Sequence, residues 1–257
     1  MTKLLDIKTL VAQEKGKLKE FFERLDVEPR LNIIQVGNNE ASNRYVRNKI
    51  KDCQEVGIKA ILRNPEETTT LQLQKEVFAQ LGPTMVQLPL PAGVEVPTIN
   101  PHVDVDGFEP DSDFAPCTPG GIMWYLRECG LANGEGKFAV VIGRSDIVGK
   151  PMAKMLMANN WTVAVIHSKT RKDIKKLLLL EADLVVCAVG KAGFLDPQEC
   201  PRAFIIDVGI NFDENGKLVG DVRGGAAERT TPVPGGVGLL TRLQLLKNVA
   251  KFYGYED

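Results

Sequence analysis

Apolar and polar residues alternate along the first part of the chain in a way that separates short strands from helices. From Leu4 to Leu25, apolar residues recur at helical spacing among many lysines and glutamates, which predicts an amphipathic surface helix. Three short apolar runs and two further helical stretches follow before Pro89. The predicted strands cover residues 31–36, 58–62 and 85–88, and the predicted helices cover 41–56 and 71–81. Strict alternation of this kind predicts a parallel sheet.

A second alternation begins near Phe138. Its predicted strands cover residues 138–142, 161–166, 184–190 and 204–209, with helices over 152–158 and from the Pro-Gly stretch at 232–236 through Phe252. The intervening segment from Pro89 to Pro119 is rich in proline and acidic residues, so the domain boundary is expected there. We predict two α/β domains, residues 1–119 and 120–238, with a C-terminal helix within 239–257 that returns to the first domain.

Composition narrows the class of function. The 257 residues are 44% hydrophobic and carry a net charge of −1, which favours small-molecule chemistry over binding to nucleic acid or a membrane surface. The N-terminus lacks a signal-peptide layout and no apolar run is long enough to span a bilayer, so a cytoplasmic location is expected. The five cysteines form no C-x-x-C pair and have no histidines at metal spacing, which predicts reduced structural thiols and no metal site.

The glycines after the strand at 138–142 predict a phosphate-binding turn. Gly143-Arg144-Ser145 leads through Gly149 and Pro151 into a helix, so free backbone N–H groups and the positive end of a helix dipole meet at this turn. Gly143 and Gly149 would let the backbone approach a pyrophosphate. The spacing is not G-x-G-x-x-G, and an ordinary Gly-Pro loop would have the same sequence.

The residues after the next strand indicate which nucleotide binds. A site for NAD usually carries an acidic residue there, which accepts a hydrogen bond from the ribose hydroxyl. This chain instead has His167, Ser168, Lys169 and Thr170, which with Arg144 could donate to an additional 2′-phosphate. The combination predicts NADP as the cofactor.

Tyr45 and Lys49 lie one turn apart on the predicted second helix. With Val46, Ile50 and Cys53 assigned to its buried face, the pair is expected on the shoulder of the helix. Tyr-x-x-x-Lys also occurs in short-chain dehydrogenases, but there it follows the glycine turn, whereas here it precedes it. Lys49 alone could be a solvated surface lysine. Gln87 and Asp106 favour a functional interpretation, because a polar side chain enclosed at a strand end or turn needs a partner.

Several motifs in register carry a family resemblance. The chain resembles the bifunctional methylenetetrahydrofolate dehydrogenase/methenyltetrahydrofolate cyclohydrolases along almost its whole length. The motifs are Tyr45 to Lys49, Val-Gln-Leu-Pro-Leu-Pro at 86–91, Asp-Val-Asp-Gly-Phe at 104–108, Pro-Cys-Thr-Pro at 116–119, Gly-Arg-Ser at 143–145 with Gly149 and Pro151, and Pro-Val-Pro-Gly-Gly-Val-Gly at 232–238.

The resemblance implies a folate-binding first domain, a Rossmann-like NADP domain and a cleft between them. Hydride would pass from 5,10-methylenetetrahydrofolate to NADP, and water would then open the methenyl product to 10-formyltetrahydrofolate. It also implies a homodimer formed through the nucleotide domain. The implied catalytic residues are Lys49, Tyr45, Gln87 and Asp106; the folate contacts are Tyr45, Val86, Gln87, Leu88, Asp106, Pro234, Gly235 and Gly238; and the NADP contacts are Gly143, Arg144, Ser145, Gly149, His167, Ser168 and Ile210.

The implied hydrolysis makes a chemical demand on Lys49. Adding water requires proton transfer near neutral pH, and a free lysine holds its proton too tightly to act as a base. We therefore expect the ammonium form to be disfavoured by partial desolvation, by the cationic substrate, and by a hydrogen bond that the Gln87 amide donates to the neutral amine.

Four residues depart from the family pattern and leave alternatives open. Val103 stands where a lysine is usual, Leu239-Leu240 replaces Pro-Met, and Arg242 stands where an aliphatic residue is common. A dehydrogenase with little cyclohydrolase activity or an altered nucleotide preference is one alternative, and a folate- or nucleotide-binding protein without catalysis is another. Amino-acid and shikimate dehydrogenases share the two-domain layout but lack the Val-Gln-Leu-Pro-Leu-Pro segment.

Overall fold

The computed structural model describes residues 4–224 and 229–256. Its helices are α1 (Ile7–Phe22), α2 (Glu40–Val56), α3 (Thr70–Phe78), α4 (Cys117–Glu128), α5 (Gly149–Ala158), α6 (Lys172–Glu181) and α7 (Val237–Phe252). Its strands are β1 (Arg30–Ile34), β2 (Lys59–Arg63), β3 (Thr84–Val86), β4 (Phe138–Ile142), β5 (Thr162–Ile166), β6 (Leu184–Cys187), β7 (Phe204–Asp207), β8 (Asn211–Phe212) and β9 (Leu218–Val219). The predicted α/β class is confirmed.

The chain divides into two compact units. One consists of Ala12–Cys117 and the residues from Arg242 onward, and we call it the three-stranded unit after its sheet. The other consists of the residues up to Val11 and Thr118–Thr241, and we call it the four-stranded unit. Helix α7 is therefore shared: its first turn belongs to the four-stranded unit, and from Arg242 it belongs to the three-stranded unit, as the predicted return of the C-terminal helix requires.

The three-stranded unit is built on a parallel sheet in the order β2-β1-β3. Its core includes Ile34, Val86 and Val103, and burial of such apolar side chains is the main source of stability in a unit of this size. Val103, a departure from the family pattern, is thus a core residue. Helix α2 packs on β2 and is delimited by Asn39, whose side chain accepts a hydrogen bond from the Ser42 amide, and by Gly57 at φ 88°.

The four-stranded unit contains a parallel sheet in the order β5-β4-β6-β7. Strands β4 and β6 lie in the middle and are apolar and almost entirely buried, as expected for a sheet covered on both faces. Helix α5 packs on β4 and β5, and α6 packs on β4. Because the strands are parallel, the segments that follow all four lie along one edge of the sheet.

Some predicted boundaries were wrong. The first helix ends at Phe22 rather than Leu25, β3 ends at Val86, and β6 and β7 end before their glycines. The sequence patterns did not predict α4, α6 or the β8-β9 hairpin. Helix α4 is buried on most sides, so it lacks an amphipathic pattern, and α6 exposes several leucines.

Other expectations concern cysteines, metals and membranes. All five cysteines are buried and free. No helix within the described ranges has both the length and the apolar character needed to cross a membrane. The described residues contain no group of three or more side chains placed to hold a metal ion.

Candidate active site

Lys49 lies on the buried face of α2. Its side chain is 8% exposed and falls on the same stripe as Val46 and Cys53, while Ile50 is only half-buried. The expectation that Lys49 sits on the shoulder of the helix and Ile50 in the core was therefore wrong. A stripe through positions 46, 49 and 53 follows the helical repeat, and it carries the amine inward to the end of β3.

The Lys49 amine meets Gln87 directly after β3. Lys49 Nζ donates to Gln87 Oε1 at 3.0 Å and to Met85 Sδ at 3.4 Å. The Gln87 amide nitrogen donates instead to the Leu88 carbonyl at 2.6 Å. The predicted direction of the Lys49–Gln87 bond was therefore wrong, because the carboxamide accepts from the amine. Within the described part of the chain, Lys49 forms no ion pair with a carboxylate.

Asp106 lies beside Cys117, whose amide donates to the Asp106 carbonyl at 3.1 Å. Burial raises the pKa of the Cys117 thiol well above its usual range, Asp106 raises it further by charge and by a hydrogen bond, and the nearby charge of Lys49 opposes them. Asn248 of α7 holds this loop in place by donating to the carbonyls of Val105 and Ala115, both at 2.8 Å. The structure therefore brings Lys49 and Gln87 into direct contact, and it places the buried Asp106 beside Cys117 in the same unit.

Tyr45 lies one turn before Lys49 and is half-buried. Burial raises the pKa of its hydroxyl, and the charges of Arg44 and Arg242 partly oppose that rise. Arg242 is anchored by Asp52, at 2.7 Å from guanidinium to carboxylate. This departure from the family pattern thus has a partner on α2.

The remaining predicted folate contacts divide between the two units. Val86 is buried at the end of β3, and Leu88 is half-buried beside Gln87 in the three-stranded unit. Pro234 and Gly238, both exposed, and Gly235, at φ 95°, lie in the four-stranded unit at the start of α7. All of these residues stay predictions as folate contacts.

The turn after β4 has the shape expected of a phosphate site. Gly143 has φ 119°, and a side chain on it would overlap the Ala188 carbonyl, while a side chain on Gly149 would overlap the Gly143 carbonyl. The Ser145 hydroxyl accepts from the amides of Val148 and Gly149, each at 3.3 Å, which fixes the start of α5. The amides of residues 144–146 donate to no other described residue, and these exposed residues directly precede the start of α5.

The turn after β5 lies beside this one, because the Gly143 amide donates to the Ile166 carbonyl at 2.9 Å. His167 Nδ1 accepts from the Lys169 amide at 3.2 Å, and Ser168 is exposed. Ile210, beyond β7, is 45% exposed at the same edge of the sheet. The predicted cofactor residues thus lie on segments that follow β4, β5 and β7.

Sequence reasoning missed two buried carboxylates in the four-stranded unit. Asp221 is fully buried and accepts from backbone amides of the segment after β6, and Asp207 accepts from the amides of Gly209, Asp221 and Val222. Burial raises the pKa of Asp207, although these hydrogen bonds oppose the rise. The available signal was an aspartate at the end of an apolar run beside glycine, as in Ile-Ile-Asp-Val-Gly.

Two family models match the chain in succession. The catalytic domain of tetrahydrofolate dehydrogenase/cyclohydrolase matches residues 5–106, and the NAD(P)-binding domain of the same family matches residues 116–256. The bifunctional protein FolD of Acetivibrio thermocellus is 42% identical over 97% of this chain and 96% of its own length.

Solved structures agree with this assignment. The bifunctional FolD enzyme of Campylobacter jejuni superposes with a TM-score of 0.89 at 38% identity, covering 96% of each chain. The Trypanosoma brucei enzyme, solved with NADP and an inhibitor, superposes with a TM-score of 0.88 at 30% identity, covering 97% of this chain and 96% of that one. The predicted family and enzyme class are confirmed, and the alternatives are not favoured. This chain belongs to the tetrahydrofolate dehydrogenase/cyclohydrolase family.

Proposed function

We propose that this protein oxidises 5,10-methylenetetrahydrofolate with NADP and hydrolyses the methenyl product to 10-formyltetrahydrofolate, with Lys49 as the base of the second step. The observation that carries this proposal is the buried Lys49 amine, 3.0 Å from Gln87 Oε1 and without an ion pair among the described residues. The two acceptors that hold the Lys49 amine, the Gln87 carboxamide oxygen and the Met85 sulfur, are both neutral.

The observed hydrogen bond suggests how Gln87 assists. A neutral amine keeps two N–H groups and one lone pair. By donating one N–H to Gln87 Oε1, the amine would be oriented with its lone pair free to take a proton from an attacking water. The Leu88 carbonyl fixes the carboxamide by accepting from its nitrogen, so its oxygen stays turned toward Lys49. A cationic methenyl substrate would further disfavour a second positive charge beside it.

The other residues of the three-stranded unit would bind the folate. Asp106 is a buried carboxylate that could accept hydrogen bonds from the N–H edge of the pterin. Tyr45 would stack on the reacting part of the folate, and Val86 and Leu88 would line its surface. Pro234, Gly235 and Gly238 are proposed as further folate contacts, where glycine allows close backbone approach.

The glycine turn after β4 fits a nucleotide. NADP, when bound, supplies the acceptor for the hydride. The amides of residues 144–146, which donate to no other described residue, suit its pyrophosphate, and Arg144 with His167 and Ser168 suits a 2′-phosphate, since none of these groups is acidic. Gly143 and Gly149 would allow close approach, and exposed Ile210 would meet the nicotinamide.

Replacing Lys49 by methionine tests the proposal. Lys49→Met should reduce hydrolysis of the methenyl compound by about 100-fold or more, because general-base catalysis typically contributes this much. NADP affinity should be unchanged. Exposed Lys51, on the same helix, supplies the control, and Lys51→Met should behave as the wild type.

Three measurements distinguish the remaining readings: methenyl formation with NADP, methenyl formation with NAD, and hydrolysis of the methenyl compound alone. Normal hydrolysis by Lys49→Met would refute the role of Lys49. A wild type that forms but does not hydrolyse the methenyl compound would be a dehydrogenase only. A wild type that binds folate without turnover would be a binding protein.

We propose further that the protein works as a homodimer, in the cytoplasm, with the four-stranded unit as the interface. β5 is an edge strand, and Val165 on it is 39% exposed. Helix α6 exposes Ile174, Leu177 and Leu180. Exposed apolar side chains on α6 and on an edge strand of the same unit support association with a second copy.

A further inference from the structure

We propose that Asp221 is a positioning residue of the nucleotide site, because its carboxylate holds the segments that follow β6 and β7 in fixed relation. The inference rests on the proposed binding of NADP to the four-stranded unit. Asp221 itself is buried, below the carboxyl ends of the strands where the nucleotide is proposed to bind.

The Asp221 carboxylate accepts four hydrogen bonds. One oxygen accepts from the amides of Val189, at 2.6 Å, and Gly190, at 2.9 Å. The other accepts from the amide of Lys191, at 2.8 Å, and from the Asn211 side chain, at 2.9 Å. Both oxygens are thus satisfied, which allows a side chain with 0% exposure to be a carboxylate. Three consecutive backbone amides are thereby fixed by one side chain.

Asp207 and two glycines hold Asp221 in place. Asp207 Oδ1 accepts from the amides of Gly209 and Asp221, each at 2.9 Å. A side chain on Gly209 would overlap the Asp221 carboxylate, and one on Gly220 would overlap the Asp207 carboxylate. Glycine is therefore required at both positions by space. The two carboxylates and the two glycines therefore form one packed, hydrogen-bonded arrangement that holds the segments after β6 and β7.

The supported segments lie where a dinucleotide would bind. In an open parallel sheet, ligands bind beyond the carboxyl ends of the strands. The segment after β6 includes Ala188, whose carbonyl lies directly against Gly143 of the proposed phosphate turn. The segment after β7 includes Asn211, which binds Asp221, and Ile210, which is proposed to meet the nicotinamide. Displacement of Asp221 would therefore shift two walls of the same site.

Asparagine is the sharpest replacement for Asp221. It keeps the shape, but one of its two terminal atoms is an NH2 group, which donates and cannot accept. One oxygen of Asp221 faces two backbone amides, and the other faces the Lys191 amide and the Asn211 side chain, so either orientation of the new amide sets its NH2 group against at least one backbone N–H group. The variant loses the charge and at least one hydrogen bond without creating a cavity.

The experiment compares NADP affinity with a reaction that needs no NADP. We expect Asp221→Asn to weaken NADP binding by about tenfold or more, measured by titration calorimetry, since the lost charge-assisted bonds are worth at least that factor. Hydrolysis of the methenyl compound without NADP should stay within about twofold of wild type. Asp183→Asn is the control, because Asp183 accepts from the Phe138 amide at 2.9 Å at the opposite end of β4. It should bind NADP normally.

A second variant covers the case in which Asp221→Asn does not fold. Asn211→Ala removes one donor to Asp221 and should weaken NADP binding by about threefold.

Normal NADP affinity in a folded Asp221→Asn protein, or an equal loss of NADP binding and of hydrolysis, would overturn the inference. If the wild type fails to bind NADP, the proposed function is wrong. Hydrogen exchange of the backbone amides, measured without nucleotide, then tests the positioning role of Asp221 separately. The amides of Val189, Gly190 and Lys191 should exchange faster in Asp221→Asn, and unchanged exchange would refute the role of Asp221.

Discussion

Three charged side chains meet at Asp52, which lies one turn beyond Lys49 on α2. Its carboxylate lies 2.6 Å from the Lys15 ammonium and 2.7 Å from the Arg242 guanidinium, and all three side chains are mostly buried. Removing charges from water costs free energy that their attraction must offset. A buried cluster of this kind is therefore sensitive to loss of one member and tolerant of replacement by apolar groups.

This sensitivity gives a prediction for Arg242. Arg242→Val should destabilise the protein by about 2 kcal/mol, because Asp52 would stay buried with one cation fewer. The double variant Arg242→Val/Asp52→Ala should recover most of the loss, since the buried Asp52 carboxylate is then removed and Lys15 keeps Glu55 at 2.8 Å. Urea unfolding followed by circular dichroism measures both. A double variant as unstable as the sum of its single variants would show that the two residues do not interact.

For individual residues, the sequence predicted which side chains belong to the site better than it predicted how those side chains are oriented. The motifs placed Lys49, Gln87 and Asp106 in one site, and the Lys49 amine does contact the Gln87 carboxamide. The direction of the Lys49–Gln87 bond could not be read from them, because it depends on the Leu88 carbonyl, which holds the carboxamide nitrogen. Asp221 was missed for a similar reason: its partners are backbone amides some thirty residues away, and backbone groups carry no sequence signal.

Among the elements of the four-stranded unit, α6 and β5 both carry exposed apolar side chains. Helix α6 contains four consecutive leucines, of which only Leu179 is fully buried. Leu177 is 57% exposed. A charge at this position would cost little in an isolated monomer and would be expensive in a packed interface.

Leu177→Lys should therefore dissociate the proposed homodimer. Sedimentation velocity on the wild type should give a dimer, and on the variant a monomer or a concentration-dependent mixture, with a Kd raised by about 100-fold or more. Leu71 on α3, 64% exposed in the three-stranded unit, provides the matched control, and Leu71→Lys should remain dimeric. A monomeric wild type would refute the proposed interface, as would an unaffected Leu177→Lys dimer.

The helices and strands were predictable where the sequence has a clear hydrophobic pattern. The strands of both sheets are short apolar runs bounded by turns, and β4 was predicted with its observed bounds of Phe138 to Ile142. Helix α4 has a mainly buried surface, including Ile122, Tyr125 and Leu126, so the contrast between its faces is weak. Helix α6 shows the opposite difficulty, because its apolar residues are mostly exposed.

For the whole molecule, the pH dependence of stability follows from two buried carboxyl groups whose pKa values are shifted in opposite directions. Burial raises the pKa of Glu14, but hydrogen bonds and charge from Lys17 and Lys247 outweigh it, so the net pKa lies below 4.5. A carboxyl with a lowered folded pKa stabilises the fold above its unfolded pKa and loses that contribution as pH falls through the folded value. Asp207 has a raised pKa, so its contribution instead becomes unfavourable as pH rises above 3.8.

Glu14→Gln should therefore destabilise the protein at pH 7 and much less in acid. The difference in urea midpoint between the wild type and Glu14→Gln should shrink as pH falls below 4.5, because the wild type then loses the charge that binds Lys247 at 2.9 Å. Glu20→Gln, an exposed change on the same helix, should have a small effect at every pH. A Glu14→Gln effect that is constant from pH 7 to acid would contradict the assignment.

Helix α7 imposes an order on biosynthesis. The three-stranded unit needs residues from Arg242 onward, including Asn248, which ties the carbonyls of Val105 and Ala115. A ribosome delivers that segment only after all of the four-stranded unit has been made. The part of the protein that contains Lys49 is therefore made in two separate stretches of the chain, and it stays incomplete until the segment that begins at Arg242 has been synthesised.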